Sequence, residues 1–263
     1  ANIGAYQKLN FVKGTIDLNR LSYFIPKAVR NYLKRAWGIV TEADIAIVLD
    51  ASGFRYGDQW PVHDLKMLAR EVKRLKKKSK HFVFLPQALG PFNDNQTSKY
   101  ARISFENAAL VCARESKSLT YVRGICSTDN IVQAPDFTNL LEVSLLNEYA
   151  RYRDCVAVIP NSKMVGEQNA NQYCRENYIS ILTSIIKTLQ AKRHEVFLLN
   201  HEGKKDEVLC QTINAELCNK VVIVTPPSAK DVKAIIGNAK FTISSRFHGC
   251  VSSLSQGVPC IAT

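Results

Sequence analysis

From Asp44 onward the chain alternates short, wholly apolar runs with longer amphipathic ones. Ile45–Leu49, His81–Leu85, Leu110–Ala113 and Ile131–Val132 read as strands, with helices over Asp58–Lys78, Asn93–Ala108 and Glu115–Arg123 between them. Residues 136–153 break this rhythm. A second series follows, with strands at Cys155–Ile159, Glu195–Leu199, Val221–Val224 and Phe241–Ile243. Its helices are Gln172–Ala191, Lys204–Cys218 and one that opens at Ser228, where Ser228 is placed to cap and Asp231 stands at the third helical position. Continuous apolar strands alternating with helices predict parallel sheets covered on both faces. The expected fold is therefore α/β, with two Rossmann-like domains over residues 1–140 and 154–263, joined by residues 141–153 and facing across a cleft. Ahead of Asp44, Tyr23 to Trp37 shows apolar residues at helical spacing with Lys27, Arg30, Lys34 and Arg35 among them. Such a stripe is expected to pack on its own sheet, the alternative being a membrane surface.

The most informative stretch is Thr242-Ile243-Ser244-Ser245-Arg246-Phe247-His248-Gly249, at the carboxyl end of an apolar strand. Residues two apart share a side in extended backbone but not on a helix. Arg246 and His248 serve one pocket only if the backbone is extended through Phe247, so the next helix is expected to begin at or after His248. An arginine fork, an imidazole and a helix N-terminus suit a carboxylate or phosphate ligand. The competing reading is an arginine paired to a core carboxylate. Other strand ends present Ser52-Gly53, Gln87, Arg114, Asn161 to Lys163 and His201. Each has a structural alternative: a glycine-permitted turn at Gly53, a turn amide at Gln87, a helix-start ion pair at Arg114, and a surface loop in place of a His201–Asp206 acid/base pair.

Composition narrows the classes. The apolar fraction of 46% excludes wholesale disorder. No stretch is long and apolar enough to span a bilayer. The net charge is +12, and residues 1–80 hold 16 Lys and Arg against 7 Asp and Glu. The densest run, Lys66 to Lys80, reads as a solvated helix face, with an anionic membrane or a polyanionic glycan as the sharper alternatives. No aromatic residues interleave the run, so nucleic acid is not an expected partner. Eight cysteines without paired spacing argue against a disulfide framework or a metal site and for a reducing compartment. No G-x-G-x-x-G follows a first strand and no Walker motif is present, so nicotinamide and P-loop chemistry are unsupported. The first residue is not methionine and the last lies inside a strand, so the chain is expected to be incomplete at both ends.

Ser244 to Gly249, followed by Leu254-Ser255-Gln256-Gly257-Val258-Pro259, resembles the signature of the polysaccharide pyruvyl transferase family. Gln87-Ala88-Leu89-Gly90-Pro91 is similar to its Gln-x-x-Gly-Pro segment, Arg114-Glu115-Ser116-Lys117-Ser118 to its Arg-Asp/Glu-x-x-Ser element, and Pro135-Asp136 to its Pro-Asp element. The resemblance implies a GT-B-like pair of Rossmann domains that transfers a pyruvyl group from phosphoenolpyruvate to a sugar, lipid-linked oligosaccharide or polysaccharide, forming a cyclic ketal. Phosphoenolpyruvate is then a co-substrate, and no cofactor or metal ligand is implied. On this reading Arg246 and Arg114 hold the donor, and His248 is the general acid/base. Ser52, Gly53, Gln87, Asn161, Lys163, His201 and Ser245 line the substrate site. The family often has arginine near Lys163. The expected place is the cytoplasm, with the inner face of the membrane as an extension. Two alternatives stand beside this one: a nucleotide-sugar glycosyltransferase, and a non-catalytic glycan-associated protein of the same fold.

Overall fold

The computed structural model describes residues 12, 13, 16–144, 146–167 and 169–263. The chain divides into two compact units, the first ending at Asp136 and the second beginning at Phe137. The first opens with a hairpin of β1 (Val12–Lys13) and β2 (Ile16–Asp17), then helix α1 (Lys27–Trp37). Strands β3 (Ile47–Asp50), β4 (His81–Gln87), β5 (Leu110–Ala113) and β6 (Ile131–Gln133) form a parallel sheet in that order. Helices α2 (Val62–Lys77), α3 (Asn95–Asn107) and α4 (Ser116–Ile125) connect them. Asp94 caps α3 by accepting from the Gln96 and Thr97 amides. The core is aromatic: Phe84 of β4 packs on Phe82 at 4.8 Å and on Phe105 of α3 at 5.4 Å, ring centre to ring centre. Pro86 has no amide to donate, and the β4–β5 register shifts between Phe84 and Gln87 around it.

The second unit holds β7 (Val156–Ile159), α5 (Gln172–Ala191), β8 (Val196–Leu199), α6 (Gly203–Glu216) and β9 (Val222–Val224). It continues through α7 (Ala229–Gly237), β10 (Phe241–Ser244), α8 (Phe247–Leu254) and β11 (Cys260–Ala262). The sheet order is β11-β10-β7-β8-β9, all parallel. Every residue of β7 is buried, which is why its run is continuously apolar. Alternate residues serve two cores. Ala157, Ile159, Phe197 and Leu199 meet Val232, Ile235 and Ile236 on one side, while Val158 and Leu198 meet Leu182, Ile186 and Ile213 on the other. After β9 the chain returns to the far side of β7, so the winding direction reverses between β7 and β10. In open α/β sheets, ligands bind outside the carboxyl ends of the strands at such a reversal.

Three expectations are corrected here. Helix α1 buries none of its residues, so the stripe read as packing on the sheet does not do so. The first strand is not covered on both faces: Ile47 and Leu49 of the edge strand β3 are 53% and 61% exposed. The segment read as an inter-domain connection belongs to the second unit, where Tyr152 packs on Phe197 with ring centres 5.0 Å apart.

Candidate functional site

At the reversal point the backbone of Arg246 is extended, with φ −98° and ψ 125°, and serves as the N-cap of α8. The helix starts at Phe247, one residue earlier than expected, so His248 lies in its first turn and is exposed. Gly249 makes this possible. A Cβ there would collide with the Ser244 hydroxyl, which accepts from the Arg246 amide at 3.1 Å.

The Arg246 side chain does not project into solvent. Its Nε donates to Asp206 Oδ2 at 2.8 Å, its Nη2 to Asp206 Oδ1, and its Nη1 to Glu202. Asp206 is fully buried in the first turn of α6 and also accepts from the Ser162 amide at 3.0 Å. One carboxylate thereby ties the ends of β7 and β10 to α6. The sequence offered a His201–Asp206 acid/base pair or a surface loop; the hydrogen-bonded partner of Asp206 is Arg246. The fork expected to grip a donor is engaged by the chain's own carboxylates.

His201, which follows the end of β8, is half-buried. Burial pushes its imidazole down from the usual 6.5 to about 4, with Arg246 and His248 acting in the same direction against Glu202 and Asp206. His201 is therefore neutral at neutral pH, and the three side chains share one electrostatic neighbourhood. Asn161 clamps the neighbouring turn, donating from Nδ2 to the Ser245 carbonyl at 2.9 Å and accepting from the Lys163 amide at 3.0 Å. Ser245 shares its hydroxyl with Tyr178 and with Thr263. Asn161 and Ser245 are thus built into the frame, while Lys163 is exposed beside it.

In the first unit the predicted residues also collect at a carboxyl edge. Asp50, closing β3, accepts from the Ser52 amide and hydroxyl and from Gln87 Nε2 at 3.2 Å. Gly53 takes φ +76°, and its carbonyl accepts from the Ala88 amide at 2.9 Å. The Gln87 carbonyl accepts from the Arg114 amide at 3.1 Å, and Arg114 Nη1 donates to Asp136 at 3.2 Å with Glu115 at 3.5 Å. One hydrogen-bonded line therefore runs along this edge, from Ser52 past β3 to Asp136 past β6. Sequence reasoning missed Glu202, Tyr178 and Asp50, and it named Asp206 without its partner Arg246. The first-turn position of Asp206 was its one legible signal; Tyr178 had none on a helix with apolar neighbours.

The family model for polysaccharide pyruvyl transferase matches residues 5–263. The chain belongs to the polysaccharide pyruvyl transferase family. No curated protein matches the sequence. Among solved structures, a Listeria monocytogenes protein described as a UDP-N-acetylglucosamine 2-epimerase matches at 10% identity and TM-score 0.54, over 96% of this chain and 64% of that one. MnaA of S. aureus, solved with UDP, matches at 10% identity and TM-score 0.51, over 97% and 64%. These likenesses show the fold, two Rossmann-like domains of GT-B type. The chain spans 64% of the length of these structures. Among the described residues no cluster of three or more His, Cys, Asp and Glu could hold a metal ion.

Proposed function

We propose that this member of the family transfers a pyruvyl group from phosphoenolpyruvate to two hydroxyls of a sugar, lipid-linked oligosaccharide or polysaccharide, leaving a cyclic ketal and phosphate. The observation that carries the reading is the Arg246–His248 turn at the reversal point, with α8 opening beneath it. The N-terminal end of α8 carries the positive end of the helix dipole, which favours an anion. Lys163 adds an exposed cation on the neighbouring turn, and the buried Arg246–Asp206 pair fixes the turn that carries His248.

The reaction asks for proton movement as well as anion binding. One hydroxyl oxygen bonds to the enol carbon, whose methylene becomes a methyl by gaining a proton. The second hydroxyl then displaces phosphate. Of the two hydroxyl protons, one balances the methyl and the other leaves with phosphate. His248, exposed in the first turn, is assigned this proton exchange. His201 stays neutral and presents a hydrogen-bonding ring without a second positive charge. Arg114, bonded to Asp136, is assigned to shape the edge of its own unit.

The test is a thermal-shift comparison of phosphoenolpyruvate with UDP-N-acetylglucosamine, followed by phosphate release with candidate acceptors. Phosphoenolpyruvate should raise the melting temperature, since a ligand bound only to the folded state must stabilise it. His248→Gln should keep that shift and lose turnover. The fold likeness to UDP-bound MnaA motivates the second ligand. Stabilisation by the nucleotide sugar alone would replace this reading with a glycosyltransferase, and binding of acceptor without either donor would replace it with a non-catalytic glycan-associated role.

A further inference from the structure

Helix α1 divides lengthwise into two halves. Ala28, Val29, Tyr32, Leu33, Ala36 and Trp37 occupy one side, while Lys27, Arg30, Asn31, Lys34 and Arg35 occupy the other, with no acidic residue on the helix. In a globular protein the apolar half of such a helix faces a core. Here it does not: no residue of α1 is buried, Tyr32 is 63% exposed and Trp37 is 71% exposed. Arg30 holds the helix in place, donating to Asp44 at 2.9 Å and to the Ile25 carbonyl at 2.9 Å.

Directly before α1, Tyr23 and Phe24 meet the basic face of α2. Together with Arg70, Lys73, Arg74, Lys77 and Lys78 they line a cavity of about 420 Å³. Arg74 is spoken for by Glu42, with two bonds of 2.8 Å, and the Tyr23 hydroxyl donates to the same carboxylate at 3.0 Å. The Lys78 ammonium sits 4.9 Å from the centre of the Tyr23 ring. Arg70, Lys73 and Lys77 are exposed around the opening, and Phe24 is 84% exposed there. An aromatic-walled basic cavity adjoins a basic helix whose apolar half is uncovered.

We propose that this face docks on an anionic lipid bilayer, with Phe24, Tyr32 and Trp37 entering the headgroup boundary and the α2 cavity holding a lipid phosphate. Charge complementarity selects the occupant. A protein surface that covered only the apolar half would not engage the exposed Arg70, Lys73 and Lys77, whereas an anionic bilayer can meet both apolar and basic side chains. Long basic side chains are suited to this boundary, because their stems lie on apolar material while their charges stay in water. The inference is independent of the reaction proposed above.

Co-sedimentation with vesicles tests it, using phosphatidylcholine alone against phosphatidylcholine and phosphatidylglycerol at three to one. The chain should pellet with the anionic vesicles only. In a Trp60→Phe background the emission of Trp37 should shift to the blue. Each basic side chain near an anionic surface strengthens partitioning by about fivefold, so Lys73→Glu with Lys77→Glu should weaken binding at least about tenfold. Phe24→Ser with Trp37→Ser, at exposed positions, should weaken it comparably with folding intact. Three results would overturn the proposal: no pelleting with anionic vesicles, pelleting without a Trp37 shift, or retention on heparin or stabilisation by inorganic phosphate in a chain that ignores vesicles. The last result would assign the cavity to an acidic glycan or a free anion.

Discussion

Arg246 is bound by Asp206 and Glu202, so its removal does more than delete a cation from a binding site. Arg246→Ala leaves a fully buried carboxylate without its partner, and stability should fall by about 3–5 kcal/mol, read as a lower urea midpoint. Unchanged stability would return the fork to the ligand-binding role that sequence reading gave it. For the same reason His248→Gln, on an exposed side chain, is the cleaner probe of chemistry. His201 supplies a pH signature. Its folded value of about 4 lies below the ordinary 6.5, so between these limits the unfolded chain binds the extra proton. Its contribution is complete above pH 6.5 and is lost as pH falls toward 4, on the order of 2–3 kcal/mol. Urea midpoints measured from pH 7.5 to 4.5 should decline in the wild-type chain, and His201→Gln should flatten that slope. A slope untouched by the substitution would place its origin in other groups.

Helix α8 was legible as an element, because small residues and a Gly-Val-Pro break bracket it, but its first residue was not. The requirement that Arg246 be extended was met by making Arg246 the cap, which let the helix begin at Phe247. The close packing of its first turn on β10 makes Gly249 sensitive. Gly249→Ala improves helix propensity by about 1 kcal/mol, yet its methyl must displace the buried Ser244 hydroxyl and meets Ile159 at 3.4 Å. Net destabilisation of about 1–2 kcal/mol is expected in thermal melts, along with a weakened response to phosphoenolpyruvate. A neutral effect on both would show that the turn tolerates rearrangement. Elsewhere local signals sufficed. Ser228 caps α7 where the four-residue pattern placed it, accepting from the Asp231 amide at 3.3 Å, while its hydroxyl donates to the Asp231 carboxylate. Helix α1 is the counterexample, for its spacing described an amphipathic helix without saying what its apolar half would meet.

For the whole molecule, charge and fold carry different information. The excess of basic residues lies in residues 1–80, and the structure gathers part of it on α2 around an aromatic cavity. The fold places the chain among two-Rossmann proteins, but such an architecture hosts many chemistries, so activity has to be argued from the site. In the second unit that site lies where the strand order reverses. Residues 87 positions apart, Asn161 and His248, come to neighbouring turns because β7 and β10 are hydrogen-bonded partners.

Read alone, the sequence determined the local periods. It identified parallel strands by their continuous apolar runs, helices by their amphipathic spacing, the cap at Ser228, and the Arg-x-His turn that marks the family. These follow from interactions between residues close in the chain, which hydrophobic spacing and capping chemistry record directly. The tertiary structure alone decided who partners whom: that Asp206 holds Arg246 across 40 positions, that Ser245 is bound by Tyr178 and Thr263, and that α1 stands uncovered. Those outcomes depend on sheet order and on which charges are buried together. A buried carboxylate selects its cation by desolvation and geometry, and neither is written in the spacing of residues along the chain.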